Sequence, residues 1–191
     1  MGVIVGLIIL AVLGIVVVII GLVVFYYNRL VGLKNRCEQA WSDVDVQLQR
    51  RYDLIPNLVE TVKGYASHEK ETFEKVTEAR QQAMKITGDN LAAKAAAENM
   101  LTQTLRSLFA VAEAYPELKA NENFLELQDQ LSKIEEQIQL ARRYYNAVAR
   151  DNNNAVMMFP SNIVANMFHF KKAEYFDLEE PEARKAPKVE F

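Results

Sequence analysis

No Lys, Arg, Asp, Glu or His occurs in residues 1–28, and the first charged side chain is Arg29. Residues 3–27 read VIVGLIILAVLGIVVVIIGLVVFYY. As a helix this run would extend roughly 37 Å, enough to cross a hydrocarbon core of about 30 Å with some tilt. All 22 basic and 25 acidic residues follow it and carry the net charge of −3. The mean hydropathy of −0.09 therefore averages an apolar leader with a polar body. That division excludes an ordinary water-soluble globule. A polytopic membrane protein is excluded too, because no second apolar run of about 20 residues occurs. The near-neutral charge balance argues against a nucleic-acid partner.

The alternative to an anchor is a cleaved secretory signal. The run lacks a basic n-region, exceeds an h-region in length and has no small-x-small site before Asn28, so a retained anchor is expected. Phe25, Tyr26 and Tyr27 close it where amphipathic rings favour the headgroup layer. Arg29, Lys34 and Arg36 follow, so positive-inside reasoning places the amino terminus outside and the body in the cytoplasm of a single-pass membrane protein. Gly2 and Gly6 form a G-x-x-x-G, and Gly14 and Gly21 lie one heptad apart. They are either a face for self-association or the ordinary glycine content of a membrane helix.

The body is poor in turn residues, and helix is expected almost throughout. Leu30, Leu33, Cys37, Trp41, Val44 and Leu48 continue the helical period directly from the anchor. Pro56 should kink that helix, or restart it with Asp53 as N-cap, because its ring clashes with the Tyr52 carbonyl. Ser67 is a candidate cap for a further piece, Gly88 a candidate C′ stop, and Asn90 a cap for the helix carrying Leu101, Leu105, Leu108 and Ala112. After Pro116, Phe124, Leu127, Leu131, Ile134, Ile138, Ala141, Tyr145 and Val148 step alternately by three and four, the period of knobs-into-holes packing. The expectation is all-α: one transmembrane helix (1–28) and an antiparallel up-and-down four-helix bundle (29–158). Asn152, Asn153 and Asn154 weaken helix propensity. A Met/Phe-rich return segment (159–176) holds Phe159, Met167, Phe168 and Phe170, and a charged, solvated tail (177–191) ends the chain. The return segment either covers the bundle or offers a surface to a partner chain or the bilayer interface.

No reaction is legible. His68 and His169 have no ligand spacing, Glu-x-x-His and paired-Cys patterns are absent, and no phosphate-binding loop occurs, so neither metal nor cofactor is expected. Cys37, the single cysteine, lies on the apolar stripe and cannot form an intramolecular disulfide. Asp43, Asp45 and Asp53 near Arg50 and Arg51 read as a salt-bridged surface rather than as catalytic carboxylates.

Particular words carry more. Tyr27-Asn28-Arg29-Leu30-Val31, Glu38-Gln39-Ala40-Trp41-Ser42-Asp43 and Arg50-Arg51-Tyr52-Asp53-Leu54-Ile55-Pro56-Asn57-Leu58-Val59 resemble the LemA family. So do Ala114-Tyr115-Pro116-Glu117-Leu118-Lys119, Arg142-Arg143-Tyr144-Tyr145-Asn146 and Phe159-Pro160-Ser161-Asn162. The likeness spans about residues 27–176. It implies a bacterial membrane protein with an amino-terminal anchor and a long-helix bundle, and it implies no catalytic residues. Cys37 and His169 depart from the apolar or small residues usual there.

The expected role is a non-enzymatic scaffold or adaptor that self-assembles or organises another membrane protein. Its candidate interaction residues are Gly2, Gly6, Gly14, Gly21, Phe159, Met167, Phe168 and Phe170. The alternative is a regulatory or sensory subunit of a membrane enzyme such as a quality-control protease. The expected partners are the lipid bilayer, further copies of the chain and a second membrane protein.

Overall fold

The computed structural model describes residues 1–88 and 90–177. The expected solvated tail beyond Asp177 lies outside the described residues. Among the described residues six helices occur: α1 (Gly2–Lys63), α2 (Lys70–Lys85), α3 (Leu91–Glu113), α4 (Pro116–Lys119), α5 (Glu122–Met157) and α6 (Ser161–Met167). No strand is present among the described residues, so the protein is all-α as expected. The chain forms two compact units, each built from segments distant in sequence. One takes residues 1–40 and 146–173; the other takes 41–145 and the described residues from Glu174.

The second unit is a bundle of the carboxyl part of α1, α2, α3 and the amino part of α5. α1 runs through Pro56 without interruption, so the restart at Asp53 is not adopted. Proline at 56 removes the amide that would bond the Tyr52 carbonyl. Arg80 Nε from α2 donates to that carbonyl at 2.7 Å, so the lost helical bond is replaced from a neighbouring helix. Three contacts give the direction of α1 against α5: Tyr65 with Asn121, Arg51 with Glu135, and Trp41 with Tyr145. Each step back along α1 matches an equal step forward along α5, which is antiparallel packing in constant register. Phe124, Leu131, Ile138, Tyr145 and Val148 are all buried on the expected α5 stripe.

Two caps differ from expectation. α2 begins after Glu69 with no side-chain cap, so Ser67 does not serve. It ends at Ile86 in extended conformation, and Gly88 is no C′ stop. Glycine is needed at 88 for space: a Cβ there would stand 2.3 Å from Trp41 Nε1 and 2.9 Å from Cε2. The indole is itself held by Tyr145 and Phe176 at ring distances of 5.5 and 5.2 Å. Asn90 caps α3 as expected, accepting from the Ala93 amide at 2.9 Å.

In the first unit, the apolar part of α1 is one helix long and apolar enough to cross a membrane, and none of its most apolar window is buried. Beyond it, Leu30, Ala155, Val164 and Ala165 form a small core, with Val23, Tyr26, Leu33, Val156 and Phe170 packed around it. The asparagines do not end α5, which continues to Met157. Asn152 and Asn153 are buried. Asn153 receives the Ala173 amide at 2.8 Å and donates to its carbonyl at 2.9 Å, so a side chain holds an extended segment as a paired strand would.

Candidate interaction surface

The densest charge cluster is internal and lies in the second unit. Arg51, which is 1% exposed, donates from α1 to Glu98 on α3, to Glu135 Oε1 on α5 at 2.8 Å and to Thr102 Oγ1 at 3.4 Å. Tyr52 donates its hydroxyl to Glu98 Oε1. Lys94 Nζ reaches the Tyr52 hydroxyl at 3.0 Å, the Ala83 carbonyl at 2.9 Å and Glu98 Oε1 at 3.6 Å. Two cations thus face two carboxylates around one phenol. Burial would lower the Arg51 pKa, but Glu135 and Glu98 outweigh it and hold the guanidinium above its ordinary value. Burial first and Glu98 second push the Tyr52 phenol well up, so it stays a hydrogen-bond donor.

This corrects the surface reading of Arg51. Asp43, Asp45, Asp53 and Arg50 are exposed as expected; Asp53 accepts from Gln49 at 2.8 Å, and Arg50 donates to Gln47 at 3.4 Å. Arg51 points the other way. Helix phase carried the missed signal, since Val44, Leu48, Arg51, Ile55, Leu58 and Val62 step four and three along one face, all nearly inaccessible. Lys94 and Glu98 fall in the same way on the stripe of Leu91, Leu101, Leu105 and Leu108. The network ties α1, α3 and α5 together, with Glu135 about one-third exposed at its edge.

Elsewhere the described residues bring no three His, Cys, Asp or Glu side chains together as a metal group. Cys37 is buried in the first unit, and burial, then Glu38 and Asp151, push its thiol pKa up, which disfavours the thiolate a nucleophile needs. His68 is exposed. His169 is exposed at φ 57°, the left-handed C′ position after α6. The Phe170 amide bonds back to Ala165 O at 2.9 Å and the His169 amide to Asn166 O at 3.3 Å, closing a Schellman motif.

The candidate interaction residues divide into two sets. At Gly2, Gly6, Gly14 and Gly21 an added Cβ would meet nothing within 4 Å, so all four lie open on the apolar helix. The second set gathers around α6. Phe159 is 80% exposed and Met167 59%, and Ile163, which sequence reasoning passed over, is 54% exposed at the intervening i+4 position. The opposite face of α6 buries Ser161, Val164 and Ala165. Phe168 and Phe170 turn towards α1, meeting the Tyr27 ring at 4.8 and 5.8 Å. Beside this stripe lies an open cleft of about 800 Å³, walled by Arg29 and Arg36 on one side and Asn154, Met158 and Ser161 on the other.

The LemA family model matches residues 40–191. The chain is 28% identical over 185 residues to the magnetosome protein MamQ 2 of Paramagnetospirillum magneticum, covering 84% of this chain and 68% of that protein. It is 26% identical over 174 residues to MamQ of Magnetospirillum gryphiswaldense, covering 78% and 64%. Against protein LemA of Metamycoplasma hominis it is 26% identical over 167 residues, covering 85% and 76%. With an all-helical body and a family match over most of its length, this chain belongs to the LemA family.

Proposed function

We propose that the chain is a membrane-anchored, non-enzymatic scaffold that assembles with copies of itself and organises other proteins at a bacterial cell membrane. One span crosses the bilayer, with the amino terminus outside and the bundle in the cytoplasm. The observation that carries the membrane role is the apolar part of α1, whose side chains from Val3 to Leu22 stand exposed with no protein covering them. The non-enzymatic role is supported by the fate of the charged side chains. Those that gather do so inside the bundle, where Glu98 is 0% and Arg51 1% exposed. Several exposed charges pair along single helices, as Lys75 does with Glu71 at 2.6 Å, and such pairs contribute little.

Mass measurement of the full chain in a mild detergent tests the assembly. A discrete oligomer that persists on dilution is expected. Monomer at every concentration would remove the self-assembling version. Constant-stoichiometry recovery of one membrane enzyme with that monomer would replace the scaffold by a regulatory subunit.

A further inference from the structure

The exposed face of α6 has a definite place in the fold. Val23 and Tyr26, in the last turns of the apolar run, pack on the small core that includes Val164 and Ala165 of α6. Phe168 touches Tyr27, the last residue of the run. α6 therefore sits beside α1 at the depth where the apolar run ends, which for a spanning helix is the membrane boundary. Its outward side chains there are Phe159, Ile163 and Met167, an apolar stripe backed by a buried face. A stripe of this kind in water is costly, because its apolar surface stays wet. At the acyl boundary it is favourable.

Charge points the same way. The first unit holds six cations, Arg29, Lys34, Arg36, Arg150, Lys171 and Lys172, against two carboxylates, Glu38 and Asp151. Its formal charge is thus +4 in a chain whose total is −3. Cations beside an interfacial apolar element suit anionic headgroups.

We infer that α6 and the preceding turn at Phe159 form a second membrane contact, in which Phe159, Ile163 and Met167 enter the interface of an anionic phospholipid leaflet while the cations of the same unit meet its phosphates. The inference rests on the reading of the apolar run as a span.

Tryptophan emission from the full chain in nanodiscs of phosphatidylglycerol and phosphatidylcholine, with plain or brominated acyl chains, tests it. The signal of native Trp41 is subtracted. Phe159→Trp and Ile163→Trp are compared with Val12→Trp inside the apolar run and Met100→Trp, half-exposed on α3. Brominated chains should quench the 159 and 163 probes as they quench the Val12 probe, and leave the Met100 probe unchanged. In phosphatidylcholine alone the 159 quenching should weaken while that at 12 holds. If the Val12 probe is quenched and those at 159 and 163 behave like Met100, the second contact is refuted and the span stands. An unquenched Val12 probe overturns both. A blue-shifted 159 signal insensitive to brominated lipid would place a second protein chain on the stripe and overturn the lipid assignment. Equal quenching at 159 in both lipids would overturn the requirement for anionic headgroups.

Discussion

Glu98 stands between two buried cations, so the electrostatic balance of the bundle interior depends on it. Replacing it with alanine leaves Arg51 with Glu135, which is about one-third exposed, and Lys94 with no carboxylate among its partners. An uncompensated buried charge costs about 3–5 kcal/mol, and Glu98→Ala is expected to lose that much in guanidinium-induced unfolding. Tyr52 adds a pH dependence whose sign follows from its raised pKa. The unfolded phenol ionises near its ordinary value of 10.0, while the folded one remains protonated. Its contribution is complete below that pH and is lost as pH climbs towards the folded value. An alkaline stability series should show Tyr52→Phe falling less steeply than the native chain, by up to about 1.4 kcal/mol per pH unit. The charged members of this network are legible by position and hidden by type. Arg51, Lys94 and Glu98 keep the phase of the apolar stripes, but long charged side chains are almost never fully buried unless paired, and the partners lie on other helices.

At the scale of elements, local pattern read the helices well and their junctions poorly. The α5 stripe and the Asn90 cap follow from spacing alone. Continuity of α1 past Pro56 does not, because it depends on Arg80 from α2 supplying the bond that proline removes. Asn152 and Asn153 show the same limit. Asparagine is a weak helix former, yet here Asn153 gains two hydrogen bonds to a segment twenty residues on, a pairing that no local period encodes. Asn153→Ala should remove both hydrogen bonds that hold half-buried Ala173, each contributing about 0.5–1.5 kcal/mol. Hydrogen exchange checks this directly: the Ala173 amide should lose protection in the variant, while amides in the interior of α3 keep theirs.

At the scale of the whole molecule, the largest consequence of folding is the sorting of charge. Arg29, Lys34 and Arg36 follow the apolar run in sequence, whereas Arg150, Lys171 and Lys172 reach the same unit only because α5 and the segment after α6 return to it. Reading flanks alone finds three cations; the folded unit doubles that number, although only the three beside the span end bear on orientation. A reporter fused after Asp177 should fluoresce as a cytoplasmic fluorescent protein and stay inactive as a periplasmic phosphatase. The effect of substitution separates the local flank from the folded unit. Orientation is set by charges within about 15–20 residues of a span end, so Arg29→Gln, Lys34→Gln and Arg36→Gln combined should raise phosphatase activity. Lys171→Gln with Lys172→Gln should leave it unchanged and instead weaken the hold of the α6 stripe on anionic bilayers. Phosphatase activity at the native sequence would reverse the orientation, and equal effects of the two sets of substitutions would show that the cations act as one folded patch.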